Sequence, residues 1–126
     1  MPIVSNAGPI LSFARAGKLG LLQSVVTELF LPDAVGEEIG DALLKRAPWL
    51  KLRTVRNHTL VATLPQKLHL GEREAIVLAE ELNAVLLIDE REARGEARKR
   101  GLNTSVVSAF SSAQRSRTPR PNQAGP

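Results

Sequence analysis

Residues 71–89 read GEREAIVLAEELNAVLLID, and this stretch decides the fold. From Glu72 to Leu82 the apolar residues Ala75, Ile76, Leu78, Ala79 and Leu82 recur at helical spacing. Their arc is wide enough for a helix buried over much of its surface. Asn83 is a residue type that accepts the left-handed conformation ending a helix. Ala84 to Ile88 is then a continuous apolar run of strand length between polar neighbours. Such a run fits a strand of a parallel sheet, buried on both faces. Asp89 stands at its carboxyl end.

The same alternation extends outward in both directions. Met1–Ser5 is a short apolar strand, and Asn6-Ala7-Gly8-Pro9 ends it. Pro9 suits the first turn of a helix, where its missing N–H is not needed. Leu11, Phe13 and Ala14 carry that helix to a stop at Gly17. Leu19–Val26 reads as a second short helix and Glu28–Leu31 as a strand closed by Pro32. Asp33–Arg46 is expected to be one helix, with Val35, Ile39, Ala42 and Leu43 on one face and Pro48 beyond its end. Leu50, Leu52 and Val55 lie in a β-like stretch, and residues 57–70, broken by Pro65, fit neither period. Arg91–Arg100 is a charged helix ending at Gly101, and Asn103–Val107 a last edge strand. Strand and helix in turn predict an α/β fold, three layers α/β/α around a mostly parallel central sheet.

The chain has 126 residues, one domain's worth. It contains no cysteine, which excludes disulfides, thiolate catalysis and zinc ribbons. Aromatic residues make up 3%, too few for base stacking on aromatic platforms. No signal peptide and no apolar run of about 20 residues is present, so a cytoplasmic protein with no membrane contact is expected. The net charge of +4 is unevenly spread. Residues 42–71 carry six Lys/Arg and no acid, residues 72–96 eight Asp/Glu against three Arg, and residues 97–126 six Lys/Arg and no acid. An acidic pocket framed by basic surface suits a protein that holds a divalent cation and touches a polyanion. From Ser111 the chain has no large apolar residue, three Pro and three Arg. The expected organisation is a folded domain over residues 1–110 and a disordered basic tail over 111–126.

In an open α/β sheet, ligands bind beyond the carboxyl ends of the strands. Asn6 and Asp89 occupy such positions, although an Asp there also suits a helix N-cap. Glu38 flanks the apolar face of its helix, and Glu74 adjoins Ala75-Ile76 in the most apolar one. Three converging carboxylates repel one another unless a cation lies between them. Oxygen ligands suit Mg²⁺ or Mn²⁺, ions that activate water and clamp a phosphodiester. Glycine-rich nucleotide loops are absent, and His58 and His69 lack metal-ligand spacing. Basic residues of the 42–56 and 98–100 blocks are expected to contact phosphates.

Four segments carry a resemblance. Ile3-Val4-Ser5-Asn6-Ala7-Gly8-Pro9-Ile10-Leu11 resembles the opening of small PIN-domain proteins, and Pro32-Asp33-Ala34-Val35-Gly36-Glu37-Glu38-Ile39 their P-x-x-V-x-x-E-[IL] segment. Leu70-Gly71-Glu72-Arg73-Glu74-Ala75-Ile76-Val77-Leu78-Ala79 is similar to their G-E-x-E-A-I helix, and Leu86-Leu87-Ile88-Asp89-Glu90-Arg91 to their strand end. Order and spacing agree over residues 1–103, nearest to proteins that resemble VapC-type toxins. The resemblance implies a Mg²⁺- or Mn²⁺-dependent ribonuclease acting on RNA, as the toxin of a toxin–antitoxin pair, with an antitoxin protein as partner and homodimer formation. Carried over by position, Asn6, Glu38, Glu74 and Asp89 are its catalytic and metal-ligating residues, with Glu72 and Glu92 outside them. Two departures stand out. Active relatives usually carry Asp where this chain has Asn6, and the C-terminal part is polar where they have an apolar helix, so it is atypical or truncated. These departures motivate an alternative, a catalytically inactive PIN-like module acting through protein or RNA binding.

Overall fold

The computed structural model describes residues 1–88 and 91–105. Five strands form one sheet in the order β3-β2-β1-β4-β5: β1 is Ile3–Ser5, β2 Leu29–Leu31, β3 Leu50–Leu52, β4 Val85–Leu87 and β5 Thr104–Ser105. Every pairing is parallel, with Val4 beside Phe30 and Leu86, and Leu87 beside Ser105. All carboxyl ends therefore share one edge of the sheet. The strands reading from Ser5 and from Leu87 are central neighbours there.

Successive strand residues enter two different cores, as the pleat requires. Val4, Leu86 and Ile88 pack with the helix α6 (Leu70–Leu82) and with Val61, Leu64 and Leu68. Leu29, Leu31 and Leu87 pack on the other side with Ile10 and Phe13 of α1 (Ala7–Arg15) and Leu22 of α2 (Leu19–Val26). The result is the three-layer α/β/α arrangement. Ala75 to Ala79 are all buried, which is why that helix reads apolar nearly all round. Asn83 ends it at φ 53°, ψ 51°, the left-handed cap expected from its type.

The stretch expected as one helix over Asp33–Arg46 is two, α3 (Asp33–Ile39) and α4 (Asp41–Arg46). Gly40 separates them at φ 95°, ψ 155°, a conformation essentially reserved to glycine. Residues 57–70, which fitted neither period, contain the short helix α5 (His58–Thr63). Asn57 Oδ1 caps it by accepting the Leu60 N–H at 3.0 Å. The charged helix is α7 (Arg91–Lys99), and the last strand β5 lies at the sheet edge as expected. After α2 the chain reverses at Thr27, φ 68°, ψ −56°, where the Glu28 N–H donates to the Val26 carbonyl at 2.7 Å. That is a γ-turn of the strained hand, on a β-branched residue. The expected tail over 111–126 lies outside the described residues.

Candidate functional site

Asn6 follows β1 directly, and its N–H extends the sheet by donating to the Leu87 carbonyl at 3.3 Å. It occupies the N-cap of α1, where an Asn side chain ordinarily accepts a backbone N–H of the first turn. Here it makes no capping bond. Its Oδ1 is buried and has no hydrogen-bond partner among the described residues. An acceptor left so costs about 1–3 kcal/mol, which the fold retains only if something else meets it.

Asn6 lines an open cleft of about 300 Å³. Asn6, Gly8, Ser12 and Arg15 form one wall, Glu38 of α3 another, and His69, Gly71 and Glu72 at the start of α6 a third. Helices α3 and α6 pack together, and Gly71 allows their close approach. A Cβ on Gly71 would lie 3.3 Å from Val35 Cγ2 and 3.5 Å from Glu38 Oε1. Glu72 is buried, and its Oε1 accepts the His69 N–H at 2.9 Å. It therefore fixes the first turn of its helix and lines the cleft as well.

Of the residues singled out in the sequence, Asn6 and Glu38 come together in the cleft. Glu74 is buried too, but its Oε1 accepts the Ala34 N–H at 3.0 Å, in the first turn of α3. Among the described residues lining the cleft the acids are Glu38 and Glu72; Glu74 is not one of them. Asp89 lies outside the described residues, as does the side chain of Glu92. The basic blocks expected at phosphates are partly engaged elsewhere. Arg100 makes a two-pronged contact with Glu80, at 2.8 and 2.9 Å, and the Arg53 guanidinium sits 5.0 Å from the Phe30 ring centre. The cation at the cleft is Arg15. Sequence reasoning set aside His69 for want of metal-ligand spacing and Ser12 for want of a matching base, and did not single out Arg15. The signal was present for two of them, since Gly8, Ser12 and Arg15 fall at i, i+4 and i+7, one face of α1.

Among the described residues no three of His, Cys, Asp or Glu stand close enough together to hold a metal ion. Among the described residues the oxygen donors on the residues lining the cleft include the Glu38 and Glu72 carboxylates and the Asn6 side-chain oxygen, which has no partner there. All are hard oxygen ligands, which fits Mg²⁺ or Mn²⁺ rather than a softer metal.

Fold and cleft together define a class: a parallel α/β protein with an oxygen-rich site beyond the carboxyl edge of its central strands. A family described as a PIN domain matches residues 2–107, and the chain belongs to that family. No curated protein matches the sequence. The PIN fold is a nuclease-type fold whose members generally bind divalent metals and act on RNA. No helix among the described residues is long and apolar enough to cross a membrane.

Proposed function

We propose that this protein is a Mg²⁺- or Mn²⁺-dependent ribonuclease that hydrolyses RNA phosphodiesters in the cleft at Asn6. The observation that carries this reading is the buried Asn6 Oδ1, without a hydrogen-bond partner among the described residues, on a residue that lines a cleft with Glu38 and Glu72. Asn6, Glu38 and Asp89 are the proposed ligands, with Glu72 in the place the motif comparison gave to Glu74. Glu74 becomes a positioning residue: it anchors the first turn of α3, the helix that carries Glu38. When bound, the ion supplies Lewis acidity toward the phosphoryl oxygens and an activated water. The chain's own contribution is a fixed set of oxygen donors on rigid elements and a cleft open to a strand of RNA. The toxin role, an antitoxin protein as partner, homodimer formation and a cytoplasmic setting belong to the same proposal and rest on the motif resemblance.

The test is cleavage of single-stranded RNA with Mn²⁺ present. Cleavage is expected, and it is expected to vanish with EDTA, in Asp89→Ala and in Glu38→Gln. One observation favours the second reading, a binding module without activity: Asn6 offers a neutral oxygen where a carboxylate would hold the ion more firmly. A folded protein that neither cleaves RNA nor gives heat on titration with Mn²⁺ would establish that reading in place of the first.

A further inference from the structure

The walls of the cleft differ in charge. Glu38 and Glu72 stand on the sides formed by α3 and α6, and both repel a polyanion. Arg15, in the last turn of α1, is the one Lys or Arg among the residues lining it. Arg15 is exposed, and no ion pair engages it among the described residues. The ion pair found among the described residues is that of Arg100 with Glu80. Ser12, one turn earlier on the same face, adds a hydroxyl to the wall. A guanidinium presents its donors as a planar fork that matches two phosphate oxygens, and a hydroxyl adds a third donor.

We infer that Arg15, with Ser12 on the same helix face, is the phosphate-binding wall of the cleft, holding the backbone of a single RNA strand on its α1 side. The inference rests on the ribonuclease reading and adds the residue that determines how the substrate is held. It also explains why an acidic cleft admits a polyanion: the repulsion is one-sided, and the fork of Arg15 sets the register of the strand. The contact is made in the bound ground state, so it is read as binding.

The experiment is fluorescence anisotropy with a labelled single-stranded RNA in EDTA, which stops cleavage, between about 50 and 200 mM salt. For single strands each phosphate contact contributes about 0.7 to the slope of log affinity against log salt. Arg15→Ala is expected to lower that slope by about 0.7 and to weaken binding about tenfold at low salt. Arg15→Lys is expected to restore the slope, since the charge returns, and only part of the affinity, since the fork does not. The side chain is exposed, so both variants should melt with the wild type. Wild-type binding with an unchanged slope in Arg15→Ala overturns the inference and leaves the ribonuclease reading standing. A wild-type protein that binds no RNA and cleaves none overturns both.

Discussion

At the scale of the single residue, Asn6 combines stability and function in opposite senses. Its side-chain oxygen is buried with no hydrogen-bond partner among the described residues, a cost to the fold at a position that lines the cleft. Asn6→Ala is therefore expected to raise the free energy of unfolding by about 1 kcal/mol in urea melts, while abolishing the heat of Mn²⁺ binding. A loss of stability of that size would make Asn6 a structural residue. Asn6→Asp should act the other way. A carboxylate at this buried position repels the buried Glu72 and the exposed Glu38 in the metal-free protein, lowering its stability, and tightens Mn²⁺ about tenfold in calorimetry. The sequence showed Asn6 and Glu38 as candidates because a strand end and a helix flank can be read from period alone. Motif position chose Glu74 and left Glu72 outside the set, with no contact to weigh one against the other. Both adjoin the apolar face of one helix, and the choice depends on what α3 brings against each, a contact some 40 positions away in the chain.

At the scale of the element, α3 is held at both ends by features that mutation can address. Its first turn receives the Glu74 carboxylate, which both accepts an N–H and suits the positive end of the helix. Glu74→Ala is expected to lower stability by about 1–2 kcal/mol, and Glu74→Gln, which keeps an acceptor, by less than half of that. Equal losses in the two variants would assign the effect to packing. At the other end, Gly40→Ala forces a side chain into a glycine-only conformation and should cost about 1–3 kcal/mol in the same melts. Thr27→Gly should do the reverse, relieving the γ-turn after α2 for a gain of up to about 1 kcal/mol. Helices α1 and α6 were legible because their apolar spacing and stop residues agree, α2 as a short apolar segment, and α7 as a charged segment stopped by Gly101. The split at Gly40 was visible as a glycine inside a helical pattern, yet periodicity runs through such a position and conceals the break. Helix α5 was hidden because only Leu60 and Val61 of its six residues are even partly buried apolar anchors, too few to establish a period.

At the scale of the whole molecule, the parallel sheet was legible from the run Ala84–Ile88 and from the alternation around it. The strand order was not, because nothing in one segment states which other segment lies beside it. From Ser111 the chain carries no large apolar residue to add to a core. Ending the chain after residue 110 is accordingly expected to leave the urea midpoint unchanged. Loss of the three Arg beyond it should reduce the salt slope of RNA binding by about 2. A lower midpoint would show that the last sixteen residues belong to the folded domain. The strand order also has a consequence in time. β1 lies between β2, which follows it closely in the chain, and β4, which is made much later. Synthesis at about 5–20 residues per second separates Asn6 from Glu72 by roughly 3–13 s. A ribosome-bound chain therefore carries Asn6 without the facing wall of α6 for that interval, and under the proposed function the site for cutting RNA is assembled only once α6 has left the ribosome.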